Sequence, residues 1–415
     1  MKHFKFSLFV IVLLISNFAF AQKSKTADLQ DIRVDVVYLS SDLLEGRETG
    51  SEGEKLAAQY IASRFEKMGL KPGGSNNTWY QSFDFKYNPN PHGNGSTGGE
   101  DRTGKNVLGY LDNGAATTVV IGAHYDHLGH GDFSSLAAND KSIHNGADDN
   151  ASGVAALLHI AEYLKTSGKA KSNNYLFMAF SGEELGLVGS KAFVNNPTID
   201  ITKVNYMINM DMVGRLNAEK VLAINGAGTS PLWKDALAAI KVADIQIKTT
   251  DSGVGPSDHT SFYFADKPVL HFFTGQHTDY HKPSDDSEKI NYEGLLDVSN
   301  YIIALIEKLD GKGKLAFTKT KDEDENRRAA NFKVTLGVMP DYVYTGEGLR
   351  IDGVIEDRPG AKAGLQKGDV ILKMGDIPVK DIYGYMEGLS KFKTGETTKV
   401  KVKRGEKTME VEVTF

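Results

Sequence analysis

Apolar and polar positions along this chain fall into two textures. From residue 28 to about 310, short runs of β-branched and small apolar residues alternate with longer segments whose apolar residues recur every three or four positions. The runs 107–111, 117–123, 175–180, 204–210, 221–225 and 268–273 are apolar almost throughout, which predicts strands buried on both faces. The run 79–85 alternates, as a half-buried strand does. Helical periodicity covers 28–39, 151–164, 231–242 and 292–309, and a shorter helix is expected over 186–195. Strands alternating with helices predict an α/β fold, a mostly parallel mixed sheet sandwiched by helices.

The segment LEGRETGSEGEKLAAQYIASRFEKMG contains a capping box, Ser51 with Glu54, ahead of apolar residues at Leu56, Tyr60, Ile61, Phe65 and Met68, and Gly69 ends the helix. A capped surface helix accounts for this Gly-rich lead-in without any function. Residues 88–105, rich in Gly, Asn and Pro, read as a loop.

Charge takes over at 311–330, a linker signature. Beyond it the texture changes to short alternating strands at 333–338, 349–354, 369–374, 398–404 and 408–415 with few helical stretches. This predicts a small β-rich domain over 331–415. The expected organisation is therefore a domain over 28–310, a linker and a second domain.

Residues 1–21 stand outside both. A Lys-containing start, an apolar core over 6–15 and Ala19-Phe20-Ala21 before Gln22 have the form of a secretory signal peptide. Export to the periplasm or the cell exterior is expected, with no stable membrane anchor. A formal net charge of −6 argues against a nucleic-acid binder, which would want a basic face. With no cysteine in the chain, any metal site must be built from His, Asp and Glu.

Those residue types fall in a pattern. His124 and Asp126 follow one buried strand, Glu183 and Glu184 a second, Asp211 a third, and His281 comes soon after a fourth. In open α/β sheets, ligands sit beyond the carboxyl ends of the strands. Each residue alone is ordinarily a loop histidine or a solvated acid, but four strand ends delivering His, Glu and Asp to one edge have the chemistry of a divalent-metal site.

The motifs HYDHLG, NGADDNASG, SGEELGLVGS, NMDMVG and HTDYHKPSD, in this order, resemble the M28 family of zinc-dependent aminopeptidases, over roughly 28–310. The resemblance implies a phosphorylase/hydrolase-like zinc exopeptidase fold and two Zn2+ ions. His124, Asp149 and Asp211 would hold one ion; Asp149, Glu184 and His281 would hold the other, with Asp149 bridging and a cis peptide after it. Asp148 is the neighbouring alternative for the bridge. The family's usual protease-associated insert would fall near 86–104, a span too short to hold one. Glu183 and Glu184 cannot both point the same way, and the resemblance makes Glu183 the general base and Glu184 the ligand. A metal-bridged water would attack the scissile carbonyl of a peptide substrate. Asp126, two residues past His124, is placed to accept the imidazole's other N–H. Asp258 and His259, in GPSDHTSF, would lie beside the substrate; a helix N-cap is the plainer reading of that segment. His127, His130 and His144 read as loop residues.

The stretch RPGAKAGLQKGDVIL in the second domain resembles bacterial PDZ domains. Leu336, Gly337 and Val338 match the loop whose amides hold a peptide's terminal carboxylate, which implies peptide C-termini as partners. A structural β-domain is the alternative. For the whole chain the resemblance implies an exported dizinc aminopeptidase. Other readings are a glutaminyl-cyclase-like or carboxypeptidase-like relative, or a non-catalytic scaffold linked to a PDZ domain.

Overall fold

The structure, a computed structural model, describes residues 25–87, 100–131, 134–137, 140–320, 334–340, 346–354, 358–380 and 382–415. The expected signal peptide, residues 88–99 of the expected loop and residues 321–333 lie outside the described residues.

The first domain opens with helix α1 over 25–39, followed by α2 (Glu52–Lys67), β1 (Lys71–Pro72), β2 (Tyr80–Tyr87), β3 (Glu100–Leu111) and β4 (Thr118–His124). Then come α3 (Gly153–Thr166), β5 (Asn174–Phe180), α4 (Val188–Asn195), β6 (Val204–Met210) and β7 (Val221–Asn225). The domain continues through α5 (Trp233–Ala238), β8 (Gln246–Thr249), α6 (His259–Tyr263), β9 (Val269–Phe273) and α7 (Tyr292–Leu309). One sheet takes all nine strands in the order β1-β3-β5-β4-β6-β9-β7-β8, with β2 also on β3. Its centre, β5-β4-β6-β9, is parallel. β3 runs antiparallel to β5, and β7 antiparallel to β9, so the sheet is mixed.

The apolar runs form central strands because both of their faces are covered. In β5, Tyr175, Phe177 and Ala179 enter the larger core, under α1, α2, α3, α5 and α7, while Leu176, Met178 and Phe180 enter the smaller core with Phe193 of α4 and Phe262 of α6. Alternate residues of a strand point to opposite faces, so a strand between two layers must be apolar at every position. Phe177 packs against Phe65 of α2 at 6.3 Å between ring centres; its truncation to Ala should cost about 3–5 kcal/mol. The parallel centre also makes four strands end on one edge, where the candidate site lies.

Half of the capping box at Ser51 forms: its side chain accepts from the Glu54 amide. Glu54 reaches back to the amide of Gly50 rather than to Ser51. Differences from expectation concentrate at exposed edges. β8 is mostly exposed and carries no apolar run, so nothing in its pattern announced a strand. Residues 311–320, expected as linker, lie against the first domain: Leu315 is buried, and the Thr318 amide donates to Thr229 O at 2.8 Å.

The second unit comprises β10 (Val338–Pro340), β11 (Leu349–Val354), α8 (Pro359–Lys362), β12 (Val370–Met374), β13 (Ile377–Pro378), α9 (Ile382–Ser390), β14 (Thr397–Arg404) and β15 (Lys407–Thr414). Its sheet order is β10-β11-β12-β14-β15, with β13 on β12, around a separate core that includes Leu336, Ile351, Ile371, Val400 and Val402. Of the strand expected at 333–338, the described residues 334–337 lie outside the sheet and β10 begins at Val338, because Gly337 has φ +68° and breaks the extended run. α9 was unexpected: Gly384 and Gly388 depress its helical propensity, yet Gly388 sits against Met374, where a Cβ would come within 3.0 Å of the sulfur.

Candidate metal centre

Three central strands end within a few residues of a candidate metal ligand. His124 is the last residue of β4, Asp211 follows the last residue of β6, and Glu183 and Glu184 lie just past the end of β5. His281 comes from the loop after β9, and Asp149 from a wide helical turn, Ala147–Ser152, that precedes α3. The Asp149–Asn150 peptide is cis.

These residues converge. Nε2 of His124 lies 3.2 Å from Oδ1 of Asp149 and 3.3 Å from Oδ1 of Asp211. Nε2 of His281 lies 3.1 Å from Oδ2 of Asp149 and 3.3 Å from Oε2 of Glu184. The other ring nitrogen of each histidine faces a main-chain oxygen: Asp126 O at 3.2 Å for His124 and Ser134 O at 2.9 Å for His281. A proton donated there leaves each Nε2 lone pair directed between two carboxylates.

Asp126 does not play the part its spacing suggested. Its carboxylate is 3.7 Å from the His124 ring, and its own carbonyl is the nearer acceptor. Instead the carboxylate accepts from the amides of Glu183 at 3.2 Å and Glu184 at 3.4 Å, and from the Thr49 hydroxyl at 2.9 Å. It therefore shapes the loop that carries both glutamates. Asp148 faces away from the cluster, accepting from the Gly214 amide at 2.7 Å and the Ser152 hydroxyl at 3.0 Å, and pairing with His277 at 3.1 Å. Asp285 accepts from the amides of both Asp148 and Asp149 at 3.0 Å, which fixes the backbone that presents Asp149.

Electrostatics separate the adjacent glutamates. Burial pushes Glu183 well above the ordinary carboxylate range, and Asp211, Asp258 and Glu184 reinforce it against His124. Burial acts the same way on Glu184, but His281 and His127 overcome it and hold Glu184 at about 2. Burial would also raise Asp149, yet bonds to His124 and His281 keep it well below its usual value. Burial opposes charge on His124 and His281; Asp211 and Glu184 respectively win, and both imidazoles are held well above the usual histidine range. A proton on either Nε2 thus stands where a cation would be welcome. Neutral nitrogen and carboxylate donors, buried and surplus in negative charge, fit a zinc-type ion, and two groups on these residues have ligand atoms close enough to share one: His124, Asp149, Asp211 and His127, Asp149, Glu184.

The cluster floors a cleft walled by Met212, Pro256, His271, Phe273, Gln276 and Tyr280. Asp258 and His259 are not in that wall: both are completely buried behind it, with the His259 ring stacked on His271 at 4.5 Å. Two further histidines adjoin the cluster, His127, which reads as a loop residue in the sequence, and His277, for which the sequence assigns no part. His127 is buried with Nδ1 2.9 Å from Oε1 of Glu184, and His277 braces Asp148. Position three past His124 was the available signal for His127. For His277, four residues before His281, spacing offered none.

In the second unit Leu336 is buried in the core, the Gly337 amide donates to the Thr335 hydroxyl at 3.0 Å, and Leu336 O accepts from the Gly360 amide at 2.7 Å. Val338 opens β10, an end strand of its sheet.

A helix-sandwiched mixed sheet with a His/carboxylate cluster at its parallel centre defines the zinc exopeptidase class of fold. Residues 106–306 match the model of peptidase family M28 and residues 317–415 that of the PDZ domain, so the chain carries an M28 peptidase domain followed by a PDZ domain. It is 30% identical over 201 residues to aminopeptidase YwaD of Bacillus subtilis, covering 45% of this chain and 40% of that protein. The chain thus spans well under two thirds of that relative's length. Among solved structures, it is similar to the zinc aminopeptidase BSAP of Bacillus subtilis (TM-score 0.52, 18% identity, 69% of this chain and 98% of that one). It is likewise similar to the glutaminyl cyclase of Porphyromonas gingivalis (TM-score 0.54, 17% identity, 68% and 98%). No helix among the described residues is long and apolar enough to cross a membrane.

Proposed function

We propose that this protein is an exported dizinc aminopeptidase that removes N-terminal residues from peptides. The observation that carries the reading is the division of Asp149, whose two oxygens face two separate His/carboxylate sets. A carboxylate shared in this way suits two cations roughly 3.5–4 Å apart. His124, Asp149 and Asp211 would hold one zinc; Asp149, Glu184 and His281 the other.

When bound, zinc would supply an acidified water and polarise the scissile carbonyl. Glu183 serves as general base: its raised proton affinity beside an ionised Glu184 supports this role, and it returns the proton to the leaving amine. Asp126 holds the amides of both glutamates so that their side chains diverge. The carboxylate-rich floor would receive a free α-ammonium group, which favours exo- over endo-proteolysis. His271, stacked on His259, forms wall beside the substrate, with Asp258 behind it.

Residues 1–21 serve as a signal peptide, 28–310 form the peptidase domain with the first half of the 311–330 linker folded against it, and 331–415 form a PDZ domain that binds peptide C-termini along β10. Mature protein beginning at Gln22 would support export. Binding of peptides with a free but not an amidated C-terminus would support the PDZ role.

The deciding experiment is hydrolysis of aminoacyl-nitroanilides by the mature protein before chelation, after it and after zinc restoration. Release that chelation abolishes and zinc restores is expected. Two bound zinc ions without release on any substrate would overturn the aminopeptidase reading and direct assays to N-terminal glutamine cyclisation and to C-terminal trimming.

A further inference from the structure

Segment 42–54, which reads in sequence as the lead-in to a surface helix, is wound through the underside of the metal centre. Arg47 is 1% exposed. Its guanidinium donates to four main-chain carbonyls: Nε to Tyr125 O at 2.8 Å, Nη1 to Asn145 O at 2.7 Å and to Leu39 O, and Nη2 to Gly146 O at 3.0 Å. Tyr125 directly follows His124, and Gly146 lies three residues before Asp149. One side chain therefore ties together the two loops whose ligands must meet at 3.2 Å.

The rest of the segment acts in the same place. The Arg47 carbonyl accepts from the His127 amide at 3.1 Å, and Glu48 pairs with His127 as a parallel bridge. The Thr49 hydroxyl donates to Oδ2 of Asp126, the carboxylate that holds the Glu183 and Glu184 amides. Glu54 is bonded to the hydroxyl of Ser181, two residues before Glu183. Segment 42–54 itself lies upstream of residues 106–306, the part that matches the peptidase family.

Arg47 also places a fixed cation beneath an acidic site. A guanidinium cannot be deprotonated near neutral pH, and an unpaired buried charge is costly. Here the four carbonyls solvate it, and Asp126, Asp149, Asp285 and Glu184 balance it through space. The planar fork matters, because lysine carries the charge as a point and cannot reach carbonyls on three segments at once.

We propose that Arg47 and Thr49 are positioning residues of the metal centre: Arg47 sets the separation of His124 and Asp149, and Thr49 sets the glutamate loop through Asp126. The assignment rests on the dizinc reading.

The test compares full-length mature protein with its Arg47→Lys and Thr49→Val variants. Zinc affinity is measured by competition with a chelator of known strength, folding by circular dichroism and thermal melting, and kcat and KM on the best nitroanilide. Arg47→Lys should fold yet bind zinc about 10–100-fold more weakly, the range for groups that orient metal ligands. Thr49→Val should lower kcat about tenfold or more with KM changed by less than about threefold. Variants that melt earlier but keep wild-type zinc affinity and kcat would make the segment a fold brace only and overturn the proposal. Should Arg47→Lys fail to fold, Thr49→Val decides by the same readouts. Wild-type protein that binds no zinc would overturn the dizinc reading, and this assignment with it, before any variant is compared.

Discussion

Oδ1 of Asp149 lies 3.2 Å from His124, and Oδ2 of the same carboxylate lies 3.1 Å from His281. The two histidines come from opposite ends of the motif order, one closing β4 and the other on the loop after β9, and neither reaches the other's carboxylate partner: His124 meets Asp211, His281 meets Glu184. Asp149 is the one group both sets share.

Replacing Asp149 should therefore empty both metal positions, whereas Asp211→Asn or His281→Ala should empty only one. Elemental analysis of purified variants checks this. Asp149→Ala with one tightly held zinc would show that the carboxylate belongs to a single site.

Glu183→Gln should keep both metals and lose roughly 10²–10⁴-fold in kcat, the usual worth of a positioned general base. Glu184→Gln should lose metal as well as activity. Equal zinc loss in the two variants would contradict the separation of their roles.

Glu54 offers a test of pH dependence. It is buried, its oxygens accept from Gly50 and Ser181, and burial pushes its pKa from 4.5 up to about 8. Between those values the folded state keeps a proton that the unfolded chain has released, so stability from this group is complete below 4.5 and is lost as pH rises towards about 8. Glu54→Gln carries no such titration. Relative to wild type it should gain on the order of 4 kcal/mol between about pH 5 and pH 9, read from urea midpoints. A pH-independent difference would remove Glu54 as a buried acid.

Gly146 has φ +57°, and a Cβ there would stand 2.2 Å from Asp149 O and 2.5 Å from the His127 ring. Gly146→Ala should destabilise the domain by at least about 2 kcal/mol and weaken zinc binding, because relief of the clash must move Asp149. A melting curve and a zinc titration together check it.

The alternation of apolar runs with helical periodicities was legible because each central strand is buried on both faces and each flanking helix on one. β6, β7, β11 and α7 have the bounds their patterns predict. Where packing rather than pattern decides, expectation failed. β8 is an exposed edge, and α9 is held by contacts that outweigh two glycines. The helix expected over 231–242 is only six residues long, Trp233–Ala238.

At the site, residue type and strand-end placement point to His124, Glu183, Glu184, Asp211 and His281 as candidates, because metal donors are few in kind and a parallel sheet presents its strand ends on one edge, while Asp149 comes from the family resemblance alone, with Asp148 as its neighbouring alternative. What each neighbour does could be settled only in three dimensions. Asp126 looks like a partner for the imidazole until the glutamate loop is seen to close over it. Asp258 and His259 belong behind the wall of the cleft, and Arg47 sits in what reads only as the lead-in to a surface helix until three separate segments are found to direct their carbonyls at it. Sequence pattern reports periodicity and chemical kind, which are local properties. Burial, and the choice among competing hydrogen-bond partners, arise where distant segments meet, and only the tertiary structure decides them.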